Sequence, residues 1–446
     1  MKELLKAAAH VVPTERQLAW YELGFYGFVH FTVNTYTGRE WGLGDEDPAI
    51  FNPYDLDCDE WVTVMKEAGM RGVILTAKHH DGFCLWPSRL TEHSVKNSPW
   101  RDGHGDVVRE LSEACRRHGM KFGIYLSPWD RNAATYGTPA YNDYYAAQLE
   151  ELLTGYGELF CVWQDNACAP EVRGKMIYDF PRFNALIRKY QPKAFIFNDY
   201  GPDVRWCGNE AGTPREEEWA VVPFELCSRA EDPVPVTPAV AGGYEKPLSP
   251  TDKTLGRRDQ IAPASALVFA PAEFDTSIRR GWFYHPEEEP RSLDELFSVY
   301  LHTVGANGCL NLNVPPMPSG RFDPRDVARL RELGERIRRE LAERPATVTP
   351  LRGDATTALY RVTLDEVTDL RYVTVREEIA KGQRIEAFRL LPAEGGEPFF
   401  SGRTVGNRKI CPVNVRTKEF YLEVTSARDC VELASVTVSP LAVGEP

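Results

Sequence analysis

The sequence predicts a (β/α)8-like TIM barrel followed by a C-terminal β-sandwich, and three observations carry that expectation. Short apolar runs alternate with amphipathic helical segments over about 310 residues, the pattern of parallel strands joined by crossover helices. Most of those runs end in polar or ionisable side chains, as at His30, His79-His80-Asp81, Ser127, Asp165 and Asp199. From Ala346 onward helical patterns vanish, and short alternating runs such as Leu370–Val375 and Phe420–Val424 take over. A doubly wound sheet is the alternative architecture, but no G-x-G-x-x-G follows any strand.

In chain order, Phe25–Phe31 reads as the first strand, with His30 near its end. A long loop rich in Gly, Trp and acids, Thr32 to Pro48, follows it. A connection of that length in a compact domain points to function. Asp59–Gly69 reads as a helix with Trp61, Val64, Met65 and Ala68 on one face. Gly72–His80 is the second strand. Asp106–His118 is a helix opened by Asp and closed by Gly119. Lys121–Ser127 is the third strand, and Tyr141–Tyr156 the third helix. Leu159–Asp165 is the strand around which the rest is arranged, an apolar run that delivers a carboxylate to its tip. Asp165 as the N-cap of a helix beginning near Glu171 is the competing reading. Pro181–Tyr190 is a helix with Pro at its start, and Ala194–Asp199 the fifth strand. Arg205–Pro263 shows little regular pattern. Ala266–Ala270 and Gly308–Val314 read as late strands separated by the helix Leu293–Thr303. A charged helix, Pro324–Glu343, closes the first part. The boundary is placed near Arg344–Thr347, giving a catalytic domain over residues 1–345 and a sandwich over 346–446.

The 446 residues carry 52 Lys plus Arg against 65 Asp plus Glu, a net charge of −13. That balance argues against nucleic acid or an anionic membrane surface as a partner and suits a neutral ligand. No run approaches the ~20 apolar residues of a membrane span. Residues 1–22 hold only the short Leu4–Val12 apolar patch, without a cleavage-like site. The ten cysteines are scattered with no C-x-x-C pair, and several sit inside apolar runs, as Cys161 and Cys309 do. Free structural thiols in a cytoplasmic protein are the expectation.

If the barrel forms, His30, His79, His80, Tyr125, Trp129 and Asp165 converge on one mouth, the C-terminal face where such folds keep their chemistry. Aromatics and histidines around a carboxylate suit a sugar, whose ring packs on aromatic faces while polar groups fix its hydroxyls. A metal site built from His30, His79, His80 and Asp165 is the rival reading. Successive strand residues point to opposite faces, so at most one of His79 and His80 faces the centre if the strand stays regular. Glu216-Glu217-Glu218 reads as a solvated charge run.

The segments Tyr26–Asn34, Phe51–Tyr54, Thr76–Trp86, Phe122–Ser127, Gly281–Tyr284 and Asn311–Pro316 resemble the α-L-fucosidases of glycoside hydrolase family 29, with Lys78-His-His-Asp-Gly-Phe83 the most specific element. The resemblance implies a retaining exo-hydrolase of fucosylated oligosaccharides that needs no cofactor or metal. It implies that Asp165 is the nucleophile, although Gln164 and Asn166 replace the family's usual Phe and Gly beside it. It implies that His30, His79 and His80 bind fucose hydroxyls, that Tyr125 and Trp282 line the pocket, and that Glu40 and Trp41 belong to it. Gly201–Gly212 looks like the subgroup that cleaves α-1,3/1,4-linked fucose from branched, Lewis-type glycans, in which Glu210 is the acid/base. Glu273 is the alternative acid/base, in a broad-specificity enzyme. A fucose-binding barrel that no longer cleaves is a further alternative.

Overall fold

The computed structural model describes residues 1–168 and 176–441. Eight parallel strands form the barrel: β1 (Phe25–Val29), β2 (Gly72–Lys78), β3 (Lys121–Leu126), β4 (Cys161–Trp163), β5 (Phe195–Phe197), β6 (Arg205–Trp206), β7 (Ala272–Ser277) and β8 (Cys309–Asn313). Hydrogen-bonded neighbours run β5, β4, β3, β2, β1, β8, β7, β6. A lone parallel bridge between Phe197 and Val204 joins the two ends, so the ring is nearly closed. The strands are almost wholly buried, as parallel strands enclosed by helices must be.

Local chemistry sets the helices. The helix Val107–His118 is capped by Asp106, whose side chain accepts from Arg109 N, and ends at Gly119 in the left-handed region at φ 63°. Asp179 caps Phe180–Tyr190, with Pro181 in the first turn. The expected start of a helix near Glu171 lies outside the described residues. Glu15–Leu23 closes the bottom of the barrel, where fully buried Trp20 donates from Nε1 to Tyr26 Oη at 2.9 Å. Tyr26 in turn donates to Glu273 inside the barrel. Among the described residues no helix is long and apolar enough to cross a membrane.

Two expectations need correction. Ala266–Phe269 is not a barrel strand: it pairs antiparallel with Val221–Pro223 and Val234–Pro235 in a separate three-stranded sheet. The barrel strand is the next segment, Ala-Glu-Phe-Asp-Thr-Ser, which escapes an apolar search because Glu273 and Asp275 occupy buried alternate positions. The Glu216–Glu218 run is not all solvated either. Glu217 and Glu218 are buried and paired, Glu217 with Arg403 and Glu218 with Arg205 and Arg215.

After the helix Pro324–Glu340 the chain forms a seven-stranded antiparallel sheet. Its two long strands, Ala358–Glu377 and Lys409–Ala427, pair along most of their length and shift register between Thr363/Thr368 and Leu370/Tyr372. They enclose a core that includes Val362, Leu370, Val375, Phe388, Phe420 and Val436. The strand Arg344–Pro345 already pairs with Leu433–Pro440.

Candidate active site

The C-terminal ends of β1 to β4 bring the expected residues together. Asp165 follows β4 by two residues, and its Oδ2 accepts a 2.8 Å hydrogen bond from the phenol of Tyr125 on β3. Its Oδ1 accepts from Ala167 N at 2.7 Å, and His80 Nε2 lies 3.9 Å from Oδ2. The backbone behind it is held by Asn198, whose amide donates to the carbonyls of Gln164 at 2.9 Å and Asp165 at 3.3 Å. Gln164 itself is fully buried, with neither side-chain polar atom hydrogen-bonded.

Both His79 and His80 reach the mouth, because the strand does not stay regular to its end. The β2 ladder shifts register between Thr76 and Lys78 and the strand stops there, so alternation no longer governs the next two residues. Their ring centroids are 4.1 Å apart. His79 lies 5.5 Å from the ring of His30 and 5.8 Å from that of Tyr125, while His80 packs 4.7 Å from Trp129. Each ring is oriented from behind: His30 Nδ1 lies 2.8 Å from Asn313 Oδ1, and His80 Nδ1 2.7 Å from Ser127 Oγ. Burial lowers the pKa of His30 to about 3 and that of His80 to about 4, the latter despite the Asp165 charge. Neutral imidazoles keep both a donor and an acceptor, which suits sugar hydroxyls. His79 Nδ1 is buried without a partner. Among the described residues no group of three or more His, Cys, Asp or Glu is arranged to hold a metal ion.

The opposite wall comes from the loop after β7. Trp282 lies 5.0 Å from His30, and its indole Nε1 donates to Glu210 Oε2 at 3.2 Å. The Glu210 residue is exposed on the mouth, yet its carboxyl is partly desolvated. That burial, opposed by the Trp282 bond and reinforced by the charges of Asp165 and Glu40, raises its pKa. Glu40 does not point its oxygens freely into the pocket. They accept from Trp282 N at 2.8 Å, from Phe283 N at 3.4 Å and from His285 Nε2 at 2.9 Å, clamping the turn that presents Trp282. Trp41, 59% exposed, forms the rim, 6.2 Å from His80 and 5.6 Å from Trp129. Trp129 is buried behind them and carries an unpartnered Nε1.

Glu273 lies below the pocket, fully buried. It accepts from Trp163 Nε1 at 2.8 Å, Asn311 Nδ2 at 3.1 Å and Tyr26 Oη, and burial pushes its pKa up to about 7 against those donors. Two further carboxyls stand near the site that the sequence did not assign to it: Asp199, read there only as a strand end, and Asp275. Asp199 is pushed up to about 7 by burial and then by the Asp165 charge, with Arg229 opposing. Asp275, bonded to Trp206 Nε1 at 2.8 Å, is raised well above the carboxylate range by burial and by Glu273 and Glu210. Sequence reasoning missed Asn313, although Asn311 and Asn313 stand two apart on β8, a spacing that puts both on one face.

A parallel barrel whose mouth gathers neutral histidines, aromatics and carboxyls defines a carbohydrate-active enzyme of the TIM-barrel class. A family model described as Alpha-L-fucosidase matches residues 11–340. The chain is 38% identical over 434 residues to Alpha-L-fucosidase 1 of Arabidopsis thaliana, covering 90% of this chain and 81% of that one. A glycoside hydrolase 29 family member from an unknown rumen bacterium superposes with a TM-score of 0.82 at 36% identity, covering 98% of this chain and 79% of that one. A Ruminococcus gnavus GH29 fucosidase, solved in complex with fucose, gives a TM-score of 0.82 at 25% identity over 97% of this chain and 96% of that one. The chain belongs to the α-L-fucosidases of glycoside hydrolase family 29.

Proposed function

We propose that the protein is a retaining exo-α-L-fucosidase in which Asp165 is the nucleophile and Glu210 the acid/base, acting on α-1,3/1,4-linked fucose of branched glycans. The observation that carries the pair is Glu210 itself, a carboxyl at the open mouth whose acid form is favoured by desolvation and by the Asp165 charge. A general acid must hold its proton while the nucleophile beside it stays charged. Asp165, oriented by Tyr125 and Ala167 N, attacks the anomeric carbon as Glu210 protonates the departing oxygen, giving a covalent fucosyl-enzyme. Glu210 then acts as base on the water that releases fucose. His30, His79 and His80 hold the fucose hydroxyls, Tyr125 and Trp282 line the ring, and Trp41 meets the sugar or its aglycone at the rim.

Glu273 suits the acid role less well, since three donors occupy its oxygens beneath Trp163. The linkage preference rests on the likeness of the Gly201–Gly212 element to that subgroup. Ten unpaired cysteines, eight of them buried, fit work in a reducing cytoplasm. Residues 1–345 supply the catalytic domain in this reading and 346–446 the all-β domain.

The test is a substrate panel with Glu210→Ala and Glu273→Ala. Glu210→Ala is expected to lose most activity on a Lewis trisaccharide while an activated aryl fucoside still gives a burst and a slow steady rate, which azide rescues with retained configuration. The same behaviour in Glu273→Ala, with Glu210→Ala only mildly impaired throughout, would overturn the assignment and the linkage preference with it.

A further inference from the structure

We infer that the C-terminal sheet positions the loop carrying Glu210, with Gln383 as the anchor; this rests on the reading of Glu210 as acid/base. Residues 207–220 leave β6 and return to the strand Val221–Pro223, and the base of this loop is tied shut by buried charges. Glu218, 2% exposed, accepts from Arg205 Nη2 of β6 at 2.6 Å and from Arg215 Nη1 at 3.2 Å. Burial alone would raise the Glu218 pKa, but the Arg215 and Arg205 charges outweigh it and hold it low.

Gln383 reaches this base from the turn that leads into the strand Ile385–Leu391 of the C-terminal sheet. Fully buried, it donates from Nε2 to Glu218 O at 3.0 Å, and its Oε1 accepts from Ala220 N at 2.8 Å and from Asn307 Nδ2 at 3.1 Å. A carbonyl and the amide two residues on are the pair that a neighbouring strand would satisfy, so one side-chain amide stands in for a strand. Arg403 adds a second contact, Nε to Glu217 Oε1 at 3.1 Å.

The far end of the loop has little freedom to absorb a shift. Asn209 Oδ1 accepts from Ala211 N and Thr213 N, each at 3.1 Å, and its Nδ2 donates to Thr213 O at 2.8 Å, folding the Glu210 segment into a compact turn. Arg215 Nε donates to Asp252 O at 2.8 Å, and the same guanidinium bonds Pro250 O. Gly208, at φ +95°, sits so close to Pro250 that an added Cβ would lie 2.2 Å from its carbonyl oxygen. The Arg215 guanidinium joins the two ends, bonding Glu218 at the base and the Pro250 carbonyl against which Gly208 packs, so a shift at residues 218–220 is passed through it toward Glu210. Gln383 and Arg403 are positioning residues for it.

The test uses the full chain and a series of aryl α-L-fucosides from dinitrophenyl to unsubstituted phenyl, with kcat/KM read for the wild type, Gln383→Ala, Gln383→Glu, Arg403→Ala and Glu210→Ala. Acid assistance matters only when the departing oxygen is a poor leaving group. The ratio between the best and worst leaving groups, measured on one preparation, does not depend on how much of it is folded. Gln383→Ala is expected to depress the phenyl fucoside by about tenfold or more relative to the dinitrophenyl fucoside, since small misplacements of a catalytic group are costly. Arg403→Ala is expected to do the same to a smaller extent. Should the Gln383 variants fail to fold, Arg403→Ala carries the test, because its side chain is 46% exposed. If Glu210→Ala steepens the leaving-group dependence while the Gln383 and Arg403 variants keep the wild-type ratio, the positioning role is overturned and the acid/base reading stands. If Glu210→Ala keeps the wild-type ratio, the acid/base reading fails and the positioning role falls with it.

Discussion

The phenol of Tyr125 donates to Asp165 Oδ2 at 2.8 Å, and the two are aligned by the same ladder, since Tyr125 pairs directly with Trp163. Burial, reinforced by the Asp165 charge, keeps the phenol protonated and therefore a donor. Tyr125→Phe removes the bond with little change of shape. It is expected to cost about 1–3 kcal/mol of transition-state stabilisation, read as a fall in kcat/KM on an aryl fucoside. An unchanged kcat/KM would show that Ala167 N and the Asn198 contacts orient Asp165 without it.

Asp165→Ala is expected to remove nearly all turnover while leaving the fold intact. Azide should restore part of the rate by occupying the vacated side of the anomeric carbon, giving β-fucosyl azide of inverted configuration. Proton NMR of the product checks this, and near wild-type turnover in the variant would remove Asp165 from the mechanism.

His30 and Asn313 are expected to behave as one unit, because Asn313 Oδ1 accepts the His30 backbone N–H at 3.2 Å and lies 2.8 Å from its Nδ1. Alanine at either should weaken fucose binding by about 1–3 kcal/mol, and the double variant should lose little more than the worse single one. Calorimetric titration with fucose measures the cycle, and additive losses would show that the two act separately. Exhaustive chelation is expected to leave activity unchanged throughout.

Glu273 gives a stability prediction with a definite sign. Its folded-state pKa is raised from 4.5 to about 7, so the folded protein binds its proton more tightly than the unfolded chain does. That contribution to stability is fully present below pH 4.5 and is lost as pH rises through about 7, a change of roughly 3 kcal/mol for a fully buried group. Glu273→Gln should flatten that part of the decline in urea unfolding between pH 5 and 8. A parallel, unflattened profile would mean that Glu273 stays charged in its cage of donors.

The convergence of His30, Tyr125 and Asp165 on one mouth was legible in the sequence because these residues close regular elements. His30, Tyr125 and Asp165 sit on or just beyond strands whose apolar runs are unbroken, and tip position follows from periodicity. The histidine pair was half legible, since a strand that stops at Lys78 leaves no trace in an apolar pattern that runs to Ala77. β7 was missed for a different reason: its inner face carries Glu273 and Asp275 where an apolar search expects aliphatic residues. The burial of Glu217 and Glu218 depends on Arg205, Arg215 and Arg403, and the last lies 186 residues from Glu217. A pairing at that separation has no local signature.

The single bridge between Phe197 and Val204 constrains the two proposed catalytic carboxyls unequally. Asp165 grows out of a strand bonded on both sides, so insertions or deletions elsewhere leave its register untouched. Glu210 follows the two-residue β6, beside a seam that imposes almost no register on the chain beyond it. Evolution could lengthen, shorten or replace that segment without dismantling the barrel, provided something outside the barrel held the new version in place.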